Sequence, residues 1–145
     1  MKTRLSPIPL LVFAVLAANC SDRSHDLVVS DAWMRSVTQI TPAGGYFKLR
    51  NTGPTKVSLT GAHSPACGML MMHESTSENG MTSMKGVDRL DIPPGGAVRF
   101  APDGYHLMCM NPTPDMKPGA HVDITLEFAD HAPLTSSFSV RGAAG

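Results

Sequence analysis

Residues 67–87 read CGMLMMHESTSENGMTSMKGV, and the reading of this stretch decides the fold. Asn79-Gly80 is the strongest hairpin signal in the chain. A two-residue turn that matches strand twist needs positive φ at both positions, which Asn and Gly tolerate. The flanking runs, CGMLMMHES and MTSMKGV, are therefore read as paired antiparallel strands. Side chains alternate along a strand, so Cys67, Met69, Met71 and His73 are expected on one face and Gly68, Leu70 and Met72 on the other. The turn swings Met84 back beside His73.

Outward from the hairpin, the chain keeps the same short rhythm. Upstream, VSLTGAH is a strand interrupted by Pro65, and GGYFKLRNTG is one closed by the turn Asn51-Thr52-Gly53-Pro54. LVVSDAWMR alternates with Val28, Trp33 and Met34 as its buried positions, and a slip near Ala32 predicts a bulge. Downstream, LDIPPGGAVRFAP turns at Pro93-Pro94-Gly95-Gly96. YHLMCMN then puts His106, Met108 and Met110 on one face and Leu107 and Cys109 on the other. HVDITLEF and LTSSFSVR finish the chain as a terminal hairpin. No segment sustains a 3.6-residue period, so roughly eight or nine strands predict an all-β, antiparallel sandwich or barrel. Composition agrees: 13 Gly and 12 Pro favour turns over long helices.

A chain of 145 residues, 42% of them hydrophobic, suits one compact domain. Its first twenty residues read as an export signal, with MKTR as the positive end and IPLLVFAVLAA as an apolar run too short to span a bilayer. Cleavage is expected near Ala17 or Ala18. LAANC also resembles a bacterial lipobox with Cys20 as the lipidated residue, although Asn19 departs from the small residue such boxes prefer. Residues 21–26 are then a polar linker, 27–141 the domain and 142–145 a short tail. Without the first twenty residues, 10 basic side chains face 12 acidic ones, which excludes an electrostatic footprint for nucleic acid. Export also makes a Cys67–Cys109 disulfide feasible, although two buried thiols fit the sequence equally well.

Eight of the ten Met residues fall between Met69 and Met116. If the strands bearing His73 and His106 are neighbours, His73, Met84, His106 and Met108 converge at one edge of the sheet. Thioether sulfur and imidazole nitrogen match Cu(I), a soft closed-shell cation, better than carboxylate oxygen does. Neither ligand forms a disulfide, so such a site survives in an oxidising compartment. Taken singly, each Met is a common gap-filler in a core and each His a common surface or hydrogen-bonded residue. Zinc sites seldom use thioethers, and Glu74 and Glu78 do not repeat a ligand spacing. The joint occurrence in an exported, strand-rich domain favours copper.

The arrangement Met72-His73, ten residues, Met84, twenty-one residues, then His106-x-Met108 resembles the signature of the periplasmic copper chaperones called PCu(A)C. AWMR at 32–35, GGYFKLRNTG at 44–53, IPPGG at 92–96 and GYHLMCM at 104–110 look like the same family, so the resemblance covers about residues 27–141. It implies a cupredoxin-like β-sandwich of Greek-key type that binds Cu(I) through His73, Met84, His106 and Met108, with Met72 as a possible extra ligand. It further implies a monomer that delivers copper to a copper-accepting protein, cytochrome c oxidase subunit II or a Sco-type protein, for assembly of the binuclear centre. Cys67, Cys109, Met69 and Met71 depart from the family pattern, and RGAAG lacks the Met- and His-rich tail of some members.

Three other readings compete. An electron-transfer cupredoxin needs a Cys thiolate with two His, and Cys109 is expected on the face opposite His106. A thiol oxidoreductase would use Cys67 and Cys109 on an oxidase-assembly partner. A metal-free exported binding module would leave the His and Met residues without a ligand role. No Ser-His-Asp order, P-loop or carboxylate pair points to an enzyme of other chemistry.

Overall fold

A computed structural model describes residues 26–143 of the chain. The expected export signal, Cys20 and nearly all of the linker lie outside the described residues. Ten strands follow one another: β1 (Leu27–Arg35), β2 (Ala43–Asn51), β3 (Val57–His63), β4 (Cys67–Glu78), β5 (Met81–Gly86), β6 (Leu90–Ile92), β7 (Ala97–Phe100), β8 (Tyr105–Pro112), β9 (His121–Phe128) and β10 (Leu134–Arg141). There is no helix among the described residues.

The strands form one hydrogen-bonded sheet in the order β5-β4-β8-β7-β2-β1-β10-β9-β3-β6, with β8 pairing β2 as well. β3 and β4 stand far apart in that order yet touch, so the sheet curls over its own core. Inside lie Met34, Phe47, Leu49, Leu59, Leu107, Ile124, Leu126 and Phe138. Phe47 stacks on Phe100 at 4.3 Å and meets Phe138 edge-on at 5.6 Å between ring centroids. This is the all-β, cupredoxin-like architecture expected from the turn spacing. Two pairings depart from antiparallel: β1 runs parallel to β10, and β7 to β8.

Local chemistry explains the elements that position the site. Asn79 and Gly80 take φ of 52° and 78°, both left-handed, so the expected tight turn joins β4 to β5 with Glu78 opposite Met81. The run LDIPPGGAVRF divides into two strands, because the Pro93–Gly96 turn sends β6 to β3 and β7 to β2. The bulge foreseen near Ala32 is present, with the register shifting between Ser30 and Trp33 and Asp31 at φ 53°. It changes the expected burial. Met34 is fully enclosed, but Val28 is exposed and Trp33 only half-buried, because the shift turns Trp33 outward opposite Tyr46.

Candidate metal centre

β4 and β8 lie side by side, with Met69 opposite Met110, Met71 opposite Met108 and His73 opposite His106. The intervening pairs are Leu70 with Cys109 and Met72 with Leu107. Leu107, Cys109 and Met72 are buried in the core, so alternation sends the first set to the outer face. There the rings of His73 and His106 meet edge to face, with centroids 5.8 Å apart. Met84 pairs with Ser75 across the hairpin, one alternation beyond His73 on the same face, and is 52% exposed. The structure thus brings His73, Met84, His106 and Met108 to one outer face of the β5-β4-β8 unit.

Hydrogen bonding prepares one imidazole for a metal. His106 is buried and its Nδ1 lies 3.0 Å from the Gly104 carbonyl oxygen. A carbonyl only accepts, so Nδ1 carries the hydrogen and the neutral ring keeps the Nε2 lone pair for a ligand role. His73 Nδ1 is buried with no hydrogen-bond partner. Leaving such an atom unpaired costs about 1–3 kcal/mol, and a bound ion is one way to relieve it.

Met84, His106 and Met108 line a cleft of about 380 Å³ together with Arg35, Tyr46 and Ser75. His73 reaches this cluster through its ring contact with His106 and lines a neighbouring depression of about 250 Å³ with Met71 and Val87. A larger cavity of about 430 Å³ at Trp33, Tyr46, Lys48 and Arg99 contains no His, Met or Cys, so size does not mark the ligand set. Register explains why Arg35 belongs to the cleft. Arg35 pairs with Gly44, Gly44 with Met108, and Met108 with Met71, one row across four strands. The Arg35 guanidinium sits 5.4 Å from the Trp33 ring centre and 5.6 Å from that of Tyr46. Arg35, Gly44 and Tyr46 had no role in the sequence reading. AWMR and GGY carried them, but only the pairing of β1, β2 and β8 reveals what they flank.

Two expectations are not met. Met72, the possible extra ligand, is packed beside Leu107 on the core side and is not brought to the cleft. Cys67 does not share the face of Met69, Met71 and His73. It turns inward and forms a disulfide with Cys109, Cα to Cα 5.5 Å. The ladder breaks at Gly68 and Asn111, where Asn111 takes φ 50° and a Cβ on Gly68 would lie 3.0 Å from that of Asn111. This irregularity reverses the facing of Cys67. Thiol exchange needs an accessible sulfur, and both cysteines are buried, which removes the support for a thiol oxidoreductase. A bonded Cys109 also supplies no thiolate for a blue-copper centre. Among the described residues no group of three or more His, Cys, Asp and Glu is placed to hold a metal. Thioethers are what enlarge the ligand set here.

Residues 27–140 match the family described as "Putative lipoprotein LpqE-like". The chain belongs to the LpqE-like family. One relative, "Putative lipoprotein Lxx21020" of Leifsonia xyli subsp. xyli, is 30% identical over 119 residues, covering 81% of this chain and 70% of its own. Among solved structures, the copper-bound PCuAC domain from PmoF2 superposes with a TM-score of 0.66 at 21% identity, over 81% of this chain and 93% of that one. The solution structure of CuI-DR1885 from Deinococcus radiodurans superposes at 0.63 with 30% identity, over 79% and 76%. Membership and fold together bear out the resemblance to PCu(A)C proteins.

Proposed function

We propose that this LpqE-like chain is an exported Cu(I) chaperone that holds one copper ion through His73, Met84, His106 and Met108. The observation that carries the reading is the register that sets His73 opposite His106 with Met84 and Met108 on the same outer face. The copper in the solution structure of CuI-DR1885, at 30% identity, supports it. Relatives described as lipoproteins support export, with attachment to a membrane only through lipidation at Cys20.

The chemistry is carriage. All four donors are neutral, so the ion keeps its single positive charge, and release needs neither proton uptake by a thiolate nor a change of oxidation state. Met84 stands on β5, the edge strand, half exposed. It is the ligand that an incoming donor displaces first, while the imidazoles on β4 and β8 let go last. The acceptor in this reading is cytochrome c oxidase subunit II or a Sco-type protein, and the carrier acts as a monomer with no bond made or broken in a substrate.

X-ray absorption of the Cu(I) form tests the site. Two nitrogen and two sulfur neighbours are expected at one equivalent of copper, with the nitrogen contribution lost in His73→Ala/His106→Ala. An all-oxygen shell, or a shell unchanged by those substitutions, removes the reading. Mixing the loaded protein with the copper-binding domain of either acceptor then tests delivery.

A further inference from the structure

Three more thioethers occupy the outer face that carries the His-Met cluster. Met69 and Met71 project from β4 and Met110 from β8, with Met69 directly opposite Met110 and Met71 diagonal to it. Directly opposed residues on one face have Cβ atoms about 4.5–5.5 Å apart, and diagonal neighbours are within reach of long side chains. Flexible Met side chains at these three positions therefore reach a common point above the sheet. Gap-filling does not account for them. Met69 is 57% exposed, and Met71 and Met110 are half-buried on the solvent side, whereas Met34, Met72 and Met116 fill the core. The sulfurs that would compete for a soft ion, Cys67 and Cys109, are bonded to each other on the inner side.

We propose that Met69, Met71 and Met110 form a second Cu(I) site made only of thioethers, one register step from the His-Met centre and flanked by Met108. An all-sulfur, uncharged donor set selects a soft monovalent ion over zinc or a hard cation. Two single charges about 7 Å apart repel, which weakens the second ion by roughly threefold to sixtyfold between a water-like and a surface-like dielectric. The thioether site is thus the weaker of the two. It is suited to receive copper and pass it along the face to the imidazoles. Its existence does not rest on the His-Met reading.

Anaerobic titration of the full chain with Cu(I) as its acetonitrile complex, without thiol reductants, tests the proposal. Wild type is expected to bind two equivalents, and Met69→Leu/Met71→Leu/Met110→Leu one. Those exchanges conserve volume at outward positions, so the fold is kept. His73→Ala/His106→Ala is expected to retain one equivalent with sulfur neighbours alone in X-ray absorption. A second equivalent that survives the three Leu substitutions overturns the proposal, as does a wild type that binds a single ion or residual copper with nitrogen neighbours in the His variant. The fate of the tighter equivalent in the His variant judges the His-Met centre separately.

Discussion

Tyr46 folds its phenol over Gly44 so closely that a Cβ on residue 44 would lie 2.6 Å from the Tyr46 hydroxyl oxygen. The ring is held there from the other side by Trp33, 4.6 Å away between centroids, and by the Arg35 guanidinium. Gly44→Ala therefore forces Tyr46 off its seat beside Met108, the register partner of Gly44. The expected cost is about 1–3 kcal/mol of stability, as for other small-to-large changes in a packed site. Trp33 is the single tryptophan, so its emission should shift with the displaced ring. Urea unfolding and a fluorescence spectrum of the variant check both effects, and an unchanged spectrum means that Tyr46 is not held as described.

How much of this was legible beforehand depended on the range of the interactions involved. The Asn79-Gly80 turn is local, and it placed Met84 beside His73 without further information. Alternation along β8 likewise put Cys109 opposite His106, because nothing interrupts the strand between them. Trp33 and Cys67 were misplaced for one shared reason. Each lies next to a residue with positive φ, Asp31 or Asn111, and one irregular residue reverses the facing of everything beyond it. Asp and Asn tolerate that conformation but do not announce it. Arg35 and Tyr46 were missed because their neighbours come from β8, more than sixty residues away, and pairing at that distance leaves no local trace.

Met84 and Met72 provide a matched test of which thioethers serve the metal. Met84→Leu changes an exposed side chain on an edge strand, so stability should hold while Cu(I) affinity falls by at least about tenfold, as when a metal-site group is lost. Met72→Leu alters a buried side chain beside Leu107 and should do the opposite, costing less than about 1.5 kcal/mol with copper affinity kept. Competition with a calibrated Cu(I) chelator measures the first effect, and chemical denaturation the second. Equal affinities for the two variants would exclude Met84 from the ligand set.

The disulfide should contribute to the fold and leave copper alone. Cys67 and Cys109 close a loop across 42 positions, and constraining the unfolded chain over such a span stabilises by about 4 kcal/mol in the chain-entropy account. Cys67→Ser/Cys109→Ser should accordingly lower the thermal midpoint by several degrees. The sulfurs face the core and away from the His73-His106 pair, so the affinity of the His-Met centre should match wild type. Calorimetry and a Cu(I) titration on one preparation check the two halves. A loss of copper binding in a folded variant would show that the cysteines take part.

Asp91 should make stability sensitive to acid at the opposite edge of the sheet. Its carboxylate accepts hydrogen bonds from Ser58 Oγ at 2.7 Å, Lys56 Nζ at 2.9 Å and Arg89 Nε at 2.9 Å, fastening β6 to β3. The Ser58 hydrogen bond first, then those from Lys56 and Arg89, holds the carboxyl far below the usual carboxylate range. A group whose folded-state pKa is depressed adds stability that is present in full above its unfolded value, near 4, and is lost as the pH falls through the folded one. Wild type should therefore lose stability from about pH 5 downward through pH 2. Asp91→Asn should be weaker than wild type at pH 7 and show a shallower decline over the same interval, because it has no proton to take up. The carboxylate is partly exposed, so salt should reduce the difference. Urea midpoints at pH 7 and pH 3, at low and high salt, measure it, and parallel declines for the two proteins would mean that Asp91 contributes nothing to acid sensitivity.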